Sequence, residues 1–215
     1  VIRRLALLVA ALVALAPLSA VPAHADRWSD NEPVGDARTV TFDPEPEPCG
    51  TVTQRPSPDG DIRRLAVRHT NTELVLRVDV TGLPRSRDLF TELTVRTPRH
   101  DWLVSLDPPA RGGGGVFVGR APDLTAVEPD ECGFIAYGVV SSGCDGATSR
   151  VDRSVGTVVV VLPRRCLGRP GWVRVGAAVQ DMAPDGSWDR WSLRGADNGD
   201  WRTPVLGPRV RADRR

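Results

Sequence analysis

The chain has 215 residues, and its 28 basic side chains, all arginine, nearly balance 27 acidic ones. A net charge of only +1 favours neither nucleic acid nor an anionic membrane as a partner. The lysine-free composition, rich in Ala, Gly, Pro and Val, reflects high-GC coding before it reflects function.

Residues 1–25, VIRRLALLVAALVALAPLSAVPAHA, have the parts of an export signal. Arg3 and Arg4 precede an apolar run from Leu5 to Ala16, Pro17 ends that run, and Ala23-His24-Ala25 offers a small-x-small cleavage site. This pattern predicts a secretory signal peptide cleaved after Ala25. The alternative is a retained anchor, but the run is shorter than the ~20 residues that cross a bilayer. No later stretch reaches that length, so the mature chain is expected to be secreted, monomeric and without a membrane span. Residues 26–215 suffice for one well-buried domain.

Period-two alternation in short runs between Gly, Pro and Asp predicts strands rather than helices. Thr39–Asp43 is a first short strand. DPEPEPCGTVTQRPSP (43–58) is too proline-rich for a central strand and is expected to run as an extended edge or linker. PDGDIRRLAVRHTNTELVLRVDV (58–80) reads as a turn and a hairpin. With Asn71-Thr72 at its tip, His69 faces Leu74, Val67 faces Leu76 and Leu65 faces Val78. All the apolar partners then share one face, because directly opposed residues do so. In this register Arg64 meets Asp79 as an ion pair on the solvent side, and His69 closes the end of the apolar face. Asp59-Gly60-Asp61 forms the entering turn. A metal role for Asp59, Asp61, His69 and Asp79 is set aside because the alternating ligands and distal Glu of an EF-hand loop are missing.

Further strands are expected at Leu89–Thr97, Trp102–Leu106, Val116–Val118, Gly133–Val140, Thr148–Val151, Thr157–Leu162 and Trp172–Gln180. The unbroken apolar run Thr157–Leu162 is expected to be buried on both faces. The sum is an all-β chain, an antiparallel β-sandwich of jelly-roll-like or immunoglobulin-like arrangement. Its organisation reads as a signal peptide (1–25), an N-terminal strand with a Pro-rich segment (26–60), the sandwich (61–206) and a basic tail (207–215).

The four cysteines of an exported chain predict two disulfides. A turn at Asp152–Ser154 brings Cys144 near Cys166, leaving Cys49 to pair with Cys132. Cys132–Cys144 is the competing bridge, because the intervening GFIAYGVVSSG could fold back on itself.

LPRRCLGRPGWVRVGAAVQD (162–181) resembles a segment of uncharacterised exported β-rich proteins from high-GC actinobacteria. The shared marks are Gly60-Asp61 through His69-Thr70, Pro163 to Val175, and Pro208-Arg209-Val210. The resemblance implies a secreted β domain and brings no activity, cofactor or catalytic residue with it. The Pro-rich insert around Cys49 and the Trp-rich segment near residue 190 depart from it.

No G-x-S-x-G elbow or H-E-x-x-H helix occurs, and Ser141-Ser142-Gly143 reads as a turn. RGGGGVFVG (111–119) lacks the Gly-Lys-Ser/Thr that holds phosphate. His100 in TPRHDW is expected in an exposed turn, and His100 and Asp101 point to opposite faces if extended. Glu73, Glu92, Glu128 and Glu131 are placed at strand ends or loops. The Trp-rich segment 181–204 carries the most suggestive side chains, Trp188, Trp191 and Trp201, whose indoles could stack on sugars. Asp185, Asp189, Asp197 and Asp200 lie among them without the spacing of a calcium loop. The bland alternative has these indoles capping the sandwich. The expectation is a non-catalytic extracellular protein without metal or cofactor. A glycan-binding module through the three tryptophans is the alternative, and a hydrolase using Asp/Glu or His69 is the second.

Overall fold

The computed structural model describes residues 27–45, 47–83, 89–106, 115–133, 139, 143–181, 186–192 and 203–213. The leader and its cleavage site, nearly all of Gly133–Val140, Ser141-Ser142, Trp201, Asp185, Asp197 and Asp200 lie outside these residues. The alternating segments pair into two antiparallel sheets. One sheet runs in the order β1 (Arg27–Asn31), β4 (Asp61–His69), β5 (Glu73–Thr81), β10 (Thr157–Pro163) and β9 (Thr148–Asp152). The other runs β3 (Thr51–Pro56), β2 (Arg38–Asp43), β12 (Ser187–Arg190), β11 (Trp172–Asp181), β6 (Leu89–Arg96), β7 (Asp101–Leu106) and β8 (Val116–Arg120), with β13 (Val210–Arg211) beside β11. The only helical turns among the described residues are short 3₁₀ pieces at Leu124–Ala126 and Arg164–Leu167.

Inward-facing residues of both sheets form the core. Leu65, Val67, Leu76, Val78, Val158, Val160 and Leu162 from one layer meet Leu93, Val95, Val104, Val173, Val175 and Val179 from the other. Each such side chain stabilises the fold by roughly 1.5–3 kcal/mol relative to exposure. This alternation, not helix propensity, selects an all-β sandwich.

The β4–β5 hairpin has the register expected from its apolar pattern, with His69 opposite Leu74, Val67 opposite Leu76, Leu65 opposite Val78 and Arg64 opposite Asp79. A bulge between Ile62 and Arg64 interrupts the ladder near its start. Asp79 does not pair with Arg64, however. Its carboxylate takes the Arg77 guanidinium at 2.8 Å and the Thr157 hydroxyl at 2.8 Å, while Arg64 reaches the Ser29 hydroxyl. Arg77 lies two residues before Asp79 on the same face, whereas β1 draws Arg64 outward.

β10 also departs from expectation. It lies between β5 and β9, and Val159 and Val161 are only half-buried on the outer face. The outer face carries valine because β-branched residues suit a strand, not because a third layer covers it. The β9–β10 turn spans Arg153–Gly156 rather than Asp152–Ser154, since Asp152 and Thr157 are still paired. Cys144–Cys166 and Cys49–Cys132 are the two disulfides, as the folded-back hairpin required.

Strands at both ends of the chain belong to the sheets. β1 pairs with β4, β2 with β12, and β13 with β11, so the N-terminal segment and the tail are built into the sandwich. The segment Pro163–Gly168 turns through the second 3₁₀ piece. There Arg164 donates to the carbonyls of Asn71 at 2.9 Å and Pro170 at 2.6 Å, tying the β4–β5 tip to the loop before β11. Among the described residues, no helix is long and apolar enough to cross a membrane.

Candidate functional site

The outer face of the larger sheet forms a groove. Opposed residues share a face, so Phe90, Gln180 and Trp188 make one row across β6, β11 and β12, and Glu92, Ala178 and Arg190 make the next. Thr94 and Gly176 extend the floor, and Leu124, Pro204 and Val205 form its walls. A Cβ at Gly176 would run into the Val205 carbonyl oxygen, so glycine there lets the 203–207 segment lie against the sheet. Gly207 N–H donates to Val175 O at 2.9 Å, and Arg174 donates to Gly207 O at 2.7 Å and Leu206 O at 2.9 Å, holding that wall. The cavity, about 240 Å³, continues past Glu92 and Thr94 toward Arg96, Asp101 and Asp123.

The groove joins apolar and ionic groups. The Arg190 guanidinium lies 5.4 Å from the Trp188 ring centroid, a cation–π contact. Glu92 sits in mid-strand rather than at a strand end, and burial raises its pKa, an effect that Arg190 opposes. Arg96 holds Asp101 by a two-pronged contact, Nε to Oδ1 at 2.9 Å and Nη2 to Oδ2 at 2.7 Å. Asp101 is therefore committed to an ion pair and Asp123 Oδ1 accepts from the Thr125 N–H and hydroxyl, while Glu92 stands on the groove floor beside Arg190.

The three late tryptophans do not form a row. Trp188 lines the groove, half-buried. Trp191 is 0 % exposed and packs edge-on against Trp28 at 5.3 Å, so its indole is core and cannot stack on a ligand. Strand alternation decides this: Trp188 and Arg190 face the groove, while Asp189 and Trp191, whose N–H continues the ladder to Ala177 O, face inward. Trp201 lies outside the described residues. His69 is 0 % exposed, its Nδ1 3.2 Å from Val210 O beneath the C-terminal segment, which removes it from any surface site. His100 is exposed in the β6–β7 turn, where Thr97 N–H donates to its carbonyl.

A second constellation lies between the sheets and draws on residues distant in sequence. Asp36 from the β1–β2 loop, Asp61 at the start of β4 and Asp189 from β12 each place a carboxylate oxygen within 4.8 Å of the others. Glu32 adjoins them, donating nothing and accepting from the Ser192 N–H at 2.6 Å and the Ser192 hydroxyl at 2.8 Å. Burial, then the neighbouring Asp189, pushes the Glu32 carboxyl up to about 9. Burial, with Asp36 and Asp61 adding to it, pushes Asp189 up to about 7. Asp61, expected in the entering turn, is instead the first paired residue of β4, opposite Thr81, and has a further place in this cluster. Asp36 and Glu32 gave no sequence signal, because neither sits in a spaced acidic motif.

The chain matches no family model, no curated protein and no solved structure.

Proposed function

We propose that this is an exported, non-catalytic binding protein whose groove takes a polar extracellular polymer, a glycan being the best-fitting class. One observation carries the reading: an indole, a half-buried carboxyl, a guanidinium and an amide lie side by side at Trp188, Glu92, Arg190 and Gln180 on one concave floor. Aromatic surface supplies contact with the flat face of a sugar ring, and the polar groups supply directed hydrogen bonds. Two disulfides and the secretory pattern of residues 1–25 support export, with cleavage after Ala25. The resemblance of Pro163–Val175 to exported actinobacterial proteins is consistent with the same address.

Calorimetric titration with soluble cell-wall oligosaccharides tests the reading. Binding is expected at the intact groove, with a loss of about tenfold in Trp188→Ala, the effect of ~1.4 kcal/mol of lost stacking. No heat with any glycan, or unchanged affinity in Trp188→Ala, refutes it. New reducing ends that vanish in Glu92→Gln would instead assign hydrolysis, with the raised Glu92 carboxyl as general acid.

A further inference from the structure

We infer that Asp36, Asp61 and Asp189 form a calcium site that clamps the β1–β2 loop to both sheets, with Glu32 as a flanking fourth carboxylate. This inference does not rest on the groove or on any ligand there.

Four carboxyl groups meet in a space that water scarcely reaches: Glu32, Asp61 and Asp189 are 5 %, 2 % and 3 % exposed. Burying carboxylates together is costly unless a counter-charge neutralises them. Among the described residues no arginine forms an ion pair with any of the four, whereas Arg68, Arg77, Arg96 and Arg150 pair with Glu73, Asp79, Asp101 and Asp152 elsewhere. Arg63 is the nearest basic influence on Asp61, yet its side chain reaches outward to the Val155 carbonyl.

The hydrogen bonding points the same way. Backbone N–H groups position the carboxylates from outside: Gly35 N–H donates to Asp61 Oδ2 at 2.6 Å, and Ile62 and Arg190 N–H donate to Asp189 Oδ2 and Oδ1 at 2.6 and 2.8 Å. The remaining oxygens have nothing to bond. Asp61 Oδ1, Glu32 Oε2 and Asp36 Oδ1 are buried atoms without a hydrogen-bond partner, and so is the Ser187 hydroxyl that adjoins Gly60. Buried acceptors are nearly always satisfied in native proteins, and an ion is one of the ordinary reasons for an apparent exception.

The donor set selects the ion. All the ligands are hard oxygens, with no cysteine or histidine in the group, which suits calcium or magnesium and not zinc or copper. Oxygens each ~2.4 Å from a calcium ion lie no more than ~4.8 Å apart, and the three aspartates each offer one oxygen inside that limit. Magnesium demands a tighter octahedron and keeps its waters, a poor fit for carboxylates fixed by three separate elements. Gly60, at φ +79°, lets the chain turn into β4 against Ser187, and the bulge after Ile62 re-aims the strand beside Asp61.

The test uses the mature protein freed of metal with a chelator. Calcium across ~0.01–10 mM, the range of extracellular modules, is expected to raise the melting temperature. Terbium substituted for calcium is expected to luminesce on tryptophan excitation, because Trp191 adjoins the Ser192 that holds Glu32. Asp36→Asn, at a half-buried loop position with no side-chain hydrogen bond to lose, is expected to weaken both responses ~10-fold or more while the protein stays folded. Asp43→Asn, on exposed β2, is expected to leave them unchanged. Absence of both responses in the unaltered protein overturns the site, and so does a calcium response that Asp36→Asn leaves intact. An equal rise with magnesium in the unaltered protein and in Asp36→Asn assigns the effect to general ionic screening and overturns it as well.

Discussion

His69 shows how a single side chain can be read correctly in position and still be underestimated. The register arithmetic puts it at the end of the apolar face, but the structure adds a lid. Val210 O accepts from its Nδ1–H, and Asp213 N–H donates to its carbonyl, so a segment 141 residues away seals it. Burial lowers its pKa below 6.5, the Val210 contact opposes that shift and Arg164 adds to it. The sign follows directly. A base with a lowered folded-state pKa stays neutral in the fold while the unfolded chain takes a proton, so stability is lost as pH falls below ~6.5. The raised carboxyls of Glu32 and Asp189 pull the other way over this range, so the His69 contribution is read as a difference: His69→Gln, which cannot titrate, is expected to shift the pH 7-to-5 slope of melting temperature toward greater stability at pH 5. Parallel slopes in the two proteins would show that other groups carry the dependence. Trp191 is the opposite lesson. Its polar neighbours in sequence mark a surface loop, but the structure buries it against Trp28. Trp191→Ala is expected to cost about 3–5 kcal/mol in denaturant unfolding, the range for emptying a large aromatic site.

The elements that were legible are those with strong alternation. β5, β6 and β11 carry buried residues at every second position, and β4 does so after its bulge, so these strands, and the β4–β5 register, follow from the letters alone. β1 and β12 were not legible. RWSDN and SWDR are short and polar, and they become strands only because β4, β11 and β2 offer them ladder partners. β3 is exposed along its whole length, an edge strand whose proline-rich approach fits no other place. The two disulfides act differently on these elements. Cys144–Cys166 closes a separation of 22 residues around the β9–β10 hairpin, and replacing both cysteines with alanine is expected to cost ~2–4 kcal/mol in denaturant unfolding. Cys49–Cys132 ties the exposed β2–β3 ribbon to a distant loop. Its removal is expected to raise limited-proteolysis rates near residues 44–56 more than it lowers the melting temperature. A fall in melting temperature without new cleavage there would show that the ribbon does not depend on the bridge.

Across the chain as a whole, local pattern was enough for the β class, the hairpin register and the disulfide pairing. Those features depend on neighbours within a few residues, on a single fold-back, or on composition. The groove and the carboxylate corner were not legible, for a common physical reason. Each is assembled from side chains on strands that are far apart in sequence, and nothing in their local spacing marks them. Glu92, Trp188 and Arg190 meet only because β12 adds to β11, and Asp36, Asp61 and Asp189 meet only because a loop, a strand start and an inward strand position converge. The same packing turned Trp191 into core and gave Asp79 a partner other than the one its register implied. Periodicity decides which face a residue occupies; the stacking of one sheet on the other decides what that face meets.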